Sequence, residues 1–225
     1  MPRDINLIKH FTCSGNAEVF IEGRDYDEGM LTFNTDSLTS RNMGNVSIDD
    51  DVINISGGIW KFSAPDYALN SFAVLGNCQV TAKHWNGTIR NMNIESTADT
   101  FLEGFYTIHN ISHNGDGRLM VYWIDNPGKL FVDGKAGKMF LAGDIRQLVL
   151  SLSGNSELNG SQLRAHRVLA RTSQMSKAAV HPIINLSVFA QGQSQVSYTA
   201  PIRNPNLNSF DRASIFFEPM VQNNE

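Results

Sequence analysis

The strongest constraint in this sequence is a spacing. Short segments in which two alternating apolar residues lead into a small or turn-forming pair recur along the chain. The clear copies are Phe11-Thr12-Cys13-Ser14-Gly15-Asn16, Ile53-Asn54-Ile55-Ser56-Gly57, Phe72-Ala73-Val74-Leu75-Gly76-Asn77 and Leu150-Ser151-Leu152-Ser153-Gly154-Asn155, with a weaker one at Val188-Phe189-Ala190-Gln191-Gly192. Anchored on the small residue, the copies stand at Gly15, Gly57, Gly76, Ser96, Gly115, Gly134, Gly154, Ser173 and Gly192, separated by 42, 19, 20, 19, 19, 20, 19 and 19 residues. The first gap fits two periods, with a degenerate middle copy expected near Thr35. A fixed period of about 20 residues is the signature of a solenoid, because one such unit cannot bury its own apolar face and must stack on the next.

If coils stack, residues at one offset from the anchor share a column and a chemical character. Four residues before each anchor stand Phe11, Ile53, Phe72, Met92, Ile111, Leu130, Leu150, Leu169 and Val188, all apolar. Two before it stand Cys13, Ile55, Val74, Ile94, His113, Val132, Leu152, Arg171 and Ala190, apolar with two exceptions. Four after it, Val19, Val80, Leu119, Leu158 and Val196 continue the inward face, with Phe101 and Met139 displaced by one. Within each segment apolar and polar residues alternate, which is strand and not helix periodicity. The expected fold is all-β: a parallel β-helix, one domain over residues 1–225, with the Pro- and Asn-rich stretch from 201 to 225 as an irregular C-terminal cap over an exposed strand edge.

Composition narrows the function classes. Hydrophobic residues make up 41% and charged residues 18% of the 225, enough apolar surface for a packed core. A net charge of -4 offers no attraction for phosphate backbones, so nucleic acid is not an expected partner. Cys13 and Cys78 are too few for a disulfide framework and lie in no zinc-like pattern; they read as ordinary core residues. Met1-Pro2-Arg3-Asp4 has no apolar run behind it, so neither a signal peptide nor a transmembrane segment is expected within this numbering.

The recurring apolar-x-apolar-Ser-Gly-Asn segments resemble the putative auto-transporter adhesin family with the head GIN domain. The resemblance is best over Phe11 to Gly23 and clear again from Leu148 to Thr199, while Gly104 to Gly143 keeps the period and loses much of the Ser-Gly signature. It implies a right-handed β-helix that follows a cleaved export signal in bacterial envelope or surface proteins, and it implies no catalytic residues. The localisation it implies is extracytoplasmic, in the periplasm or at the cell surface; a native start at Met1 would instead imply the cytoplasm.

No GxSxG, HExxH, P-loop or dinucleotide-binding pattern stands in a supporting context. No metal site, cofactor or catalytic residue is expected. Columns can nevertheless bring distant residues together, and ten residues beyond each anchor stand Asn86, Tyr106, Asp125, Asp144 and Arg164. Asp125 and Asp144 are expected to stack on adjacent coils with Arg164 next in line. Paired carboxylates are what a polysaccharide hydrolase or lyase needs for acid and base work; they are also common at solvated corners. Of the nearby aromatics, exposed ones suit stacking on sugars, while Trp123 reads better as core. The leading expectation is a non-enzymatic envelope or surface binding or scaffold module, an adhesin being one form of it, with a protein or glycan partner and with oligomers formed through solenoid sides or ends. The alternatives are a structural subunit of a larger envelope assembly, such as a secretion complex, and a carbohydrate-active enzyme using Asp125 and Asp144.

Overall fold

A computed structural model describes residues 8–24, 32–34, 44–65 and 67–219. Its strands are β1 (His10–Arg24), β2 (Thr32–Asn34), β3 (Asn45–Asp49), β4 (Val52–Pro65), β5 (Tyr67–Gly76), β6 (Gln79–Lys83), β7 (Gly87–Ser96), β8 (Thr100–His113), β9 (Arg118–Gly134), β10 (Lys138–Leu152), β11 (Glu157–Thr172), β12 (Lys177–Ala190), β13 (Gln195–Tyr198), β14 (Asn206–Ser209) and β15 (Ser214–Phe217). They form one 15-stranded sheet wound on itself, a β-solenoid with coils of about 20 residues. Each coil has three sides. In β10, for example, residues 138–142 lie on one side, 143–145 on the next and 147–152 on the last, each paired in parallel with the coils before and after.

The apolar column predicted four residues before the anchor exists and is buried. In spatial order it runs Ile53, Phe11, Phe72, Met92, Ile111, Val132, Leu150, Ala170 and Val188. Leu130 and Leu169 do not belong to it. Leu130 pairs with Leu148 one inward position earlier, and Leu169 pairs with Val149 and Ser187 on the outward face. The second column likewise contains Gly134 and Thr172 where Val132 and Arg171 were expected. On the next side, Thr100 itself occupies the inward seat between Val80 and Leu119, and Phe101 points away from it.

The corner after the first column explains the small residues. Gly15, Gly76, Gly154 and Gly192 have φ between 63° and 74°, a left-handed seat that glycine fills without a Cβ penalty. The coil that follows Gly154 places Gln174 there instead (φ 61°). Two residues on, a small side chain turns inward: Cys78, Ser156, Ser176 or Ser194, all buried. The serines earn their place by bonding corner carbonyls. Ser156 Oγ donates to Ser153 O at 2.8 Å and Ser176 Oγ to Ser173 O at 2.9 Å. Pairing of this kind removes most of the cost of burying a hydroxyl.

The N-terminal end departs from simple coil-after-coil stacking. β1 is inserted between β4 on one side and β5 and β6 on the other. The extra coil expected near Thr35 falls on a residue outside those described, and its neighbour β2 runs antiparallel to β4, as does β3. Antiparallel strands here cover the edge of β4, which would otherwise present unpaired backbone groups. The insertion is stapled: Cys13 and Cys78 form a disulfide with Cα atoms 6.0 Å apart, which corrects the reading of both as free core residues. Fully buried Phe72 stacks on Phe11 at 4.9 Å and leads through Trp85 to Tyr106, an aromatic chain along the core. At the other end, β14 and β15 add parallel strands to β12 and β13 after Pro201–Pro205.

Candidate binding surface

The side of each coil that holds residues 143–145 of β10 is short, and its outward positions form a rail. Asp144 pairs in register with Asp125 on one side and Arg164 on the other, and Arg164 pairs with His181 on the next coil. Thr107, one coil before, donates its hydroxyl to the Asp125 carbonyl at 2.9 Å. Three of the five residues singled out by the sequence therefore do come together.

The other two do not join them. Tyr106 pairs with Gly87 and Ile124 and is 1% exposed, filling the core. Asn86 lies at the corner, where its Oδ1 accepts a hydrogen bond from the Phe105 amide at 2.8 Å. Displacement of these residues has one cause: the coils holding Asn86 and Tyr106 turn the corner one or more residues later than those holding Asp125 and Asp144, and each slip by one exchanges the inward and outward faces of a strand.

Electrostatically the rail is mixed. Arg164 Nε lies 3.4 Å from Asp144 Oδ1, with about half of both side chains open to water. Such a pair contributes little to stability. Among the described residues, no group of three or more His, Cys, Asp or Glu side chains is placed to hold a metal ion. No described helix is long and apolar enough to cross a membrane.

Beside the rail lies an apolar corner. Phe105 is 67% exposed, and Tyr122 and Trp123 each 37%; Tyr122 packs on Phe101 with ring centroids 6.1 Å apart. The expectation that Trp123 fills the core is corrected, since Trp85 and Tyr106 are the aromatics that do so. Backbone geometry at this corner breaks the strand alternation: β8 and β9 lose register between Glu103 and Tyr106, so consecutive Tyr122 and Trp123 both reach solvent. The sequence signal for this was the adjacency of the two aromatics, which period-two alternation cannot bury together.

No family model matches the chain, and no curated protein matches it in sequence. Solved structures do resemble it. One is described as a putative adhesin from Parabacteroides merdae, with a TM-score of 0.70 at 14% identity over 97% of this chain and 95% of that one. A second is described as a putative lipid binding protein from Parabacteroides distasonis, with a TM-score of 0.75 at 13% identity over 97% and 95% of the two chains. A third, a putative adhesin from Bacteroides fragilis, gives a TM-score of 0.62 at 14% identity over 97% and 95%. At these identities the likeness is one of fold, and it extends over nearly the whole of each chain.

Proposed function

We propose that this chain is a non-enzymatic binding module of the bacterial cell envelope or surface, acting outside the cytoplasm and akin to the auto-transporter adhesins with a head GIN domain. The observation that carries the proposal is the open side of the solenoid: the Asp125–Asp144–Arg164 rail flanked by exposed Phe105, Tyr122 and Trp123. Exposed aromatics beside hydrogen-bonding groups are typical of recognition surfaces. The ion pair within the rail and its open surroundings favour contact over catalysis. The buried Cys13–Cys78 disulfide supports an oxidising compartment, since such bonds are rare in the cytosol of mesophiles. The structural neighbours described as adhesins support the same reading. With it goes the reading of residues 1–225 as one solenoid domain whose 201–225 segment closes the C-terminal end.

The test is co-sedimentation of the purified protein with isolated bacterial cell envelopes. Wild type is expected to pellet with them, and the Tyr122→Ala/Trp123→Ala variant to do so at least tenfold less. Equal behaviour of the two proteins, or no pelleting of wild type, would overturn the reading. Release of reducing ends from envelope polysaccharide that Asp125→Asn/Asp144→Asn abolishes would replace it with the carbohydrate-active reading.

One observation favours the structural-subunit alternative. Leu207, Phe210, Phe216 and Phe217 are 36% to 51% exposed on the last coil, next to the outer edges of β14 and β15. An end of this kind suits end-on contact with a protein partner.

A further inference from the structure

We infer that a second surface, a groove on the side that holds residues 147–152 of β10, binds a neutral glycan strand. The inference rests on the binding-module reading and names its ligand class. The groove has a volume of about 350 Å³ and crosses four successive coils. Two outward columns build it. One runs Asn91, Asn110, Phe131 and Val149; the other runs Asn93, Ser112, Asp133 and Ser151.

Its chemistry is that of a sugar-binding surface. Phe131 is 45% exposed and stands between Asn110 and Val149 on adjacent strands, so its ring offers an apolar platform with an amide at its margin. A pyranose has a C–H face that suits such a ring and a hydroxyl edge that needs donors and acceptors. The amides are held in place beforehand. Asn110 Nδ2 donates to Asn91 Oδ1 at 2.9 Å and to Arg90 O at 3.3 Å, and Asn91 Nδ2 donates to Asn70 O at 3.2 Å. Fixing the amide planes in advance removes part of the ordering cost of binding.

Charge selects the class of ligand. Asp133 is the one ionisable residue among those lining the groove, so nothing there attracts an anionic polymer, while its carboxylate can accept from two sugar hydroxyls. A lipid chain would cover the Asp133 carboxylate without offering it a hydrogen bond, which disfavours it as the occupant. Successive coils lie roughly 4.8 Å apart, close to the length of one sugar unit, so a strand lying along the solenoid axis meets Asn91, Asn110, Phe131 and Val149 in turn.

The experiment titrates cellohexaose, chitohexaose and maltohexaose into the purified protein by isothermal calorimetry, with Phe131→Ala, Phe131→Leu and Ile59→Ala as variants. At least one hexasaccharide is expected to bind wild type. Both Phe131 variants are expected to weaken it at least tenfold, Phe131→Leu serving as the control that keeps an apolar side chain, and Ile59→Ala, at an exposed position outside the groove, to leave it unchanged. Failure of all three sugars to bind wild type would overturn the inference, while envelope co-sedimentation would still stand as the separate test of the binding module. Wild-type affinity in the Phe131 variants would also overturn it. Loss of affinity in Ile59→Ala equal to that in the Phe131 variants would do the same, because Ile59 lies outside the groove.

Discussion

Cutting the Cys13–Cys78 bond should loosen the N-terminal coils far more than the rest of the solenoid. The bond joins residues 65 apart in sequence, and in the chain-entropy description a loop of that length restricts the denatured ensemble by about 4 kcal/mol. The closed segment includes β4, and β1 is held between β4 and β5, so the loss falls on the coils that the bond ties together. Coils interact mainly with their immediate neighbours, which confines the effect. The assay is native-state hydrogen exchange on wild type and Cys13→Ala/Cys78→Ala, read amide by amide. Protection in β1 and β4 is expected to fall by about 4 kcal/mol, while amides of β10, β11 and β12 keep theirs. Unchanged protection in β1, or a uniform loss along the whole chain, would refute the reasoning.

Three further outcomes are expected. His113 is fully buried with Nδ1 at 2.9 Å from Ala136 O and Nε2 without a partner, and burial holds its pKa below the ordinary 6.5. The unfolded chain then binds the proton more tightly, so stability is complete above about pH 6.5 and declines as pH falls below it; denaturant midpoints should show this decline in wild type and a smaller one in His113→Leu. At Gly143 (φ 142°) an added Cβ would lie 1.9 Å from the Ile124 carbonyl oxygen, so Gly143→Ala should cost about 2 to 3 kcal/mol in urea unfolding. Arg164→Ala, by contrast, removes only a solvated ion pair and should change stability by less than about 1 kcal/mol.

Legibility of the sequence followed the physics of each position. Stacking of Asp125, Asp144 and Arg164 could be read because the coils that hold them follow one another at a near-constant period. Two kinds of residue misled. Between Asn126 and Lys129 the coil takes up extra chain around a buried side chain: Asn126 Nδ2 donates to Lys129 O at 3.1 Å and Oδ1 accepts from Gly128 N at 2.7 Å. That looped corner and a second extra residue between Val121 and Ile124 together shifted the anchor at Gly134 by two and put Val132, not Leu130, in the first column. Thr172 faces inward because its hydroxyl meets Ser194 Oγ at 2.9 Å, whereas a register anchored on Ser173 puts Arg171 in that seat and Leu169 in the seat of Ala170.

The insertion of β1 had no local signal at all, since backbone pairing is indifferent to which coil a strand joins. Its trace in sequence was the pair Cys13 and Cys78, each in an otherwise apolar or small-residue seat. The exposed corner at Phe105, Tyr122 and Trp123 was hidden for a related reason: it depends on a register slip, and alternation read from sequence assumes none.

The most direct test of the stacking order is a distance along the solenoid. From Glu18 to Gln195 the chain makes seven strand steps, through Gln79, Asp99, Arg118, Lys138, Glu157 and Lys177. At roughly 4.8 Å per step, spin labels at Glu18→Cys and Gln195→Cys should give a double electron–electron resonance distribution centred near about 34 Å. Coils laid strictly in sequence order, with β4 and one further coil between β1 and β5, would place the two labels nine steps and about 43 Å apart, and a maximum there would contradict the architecture described.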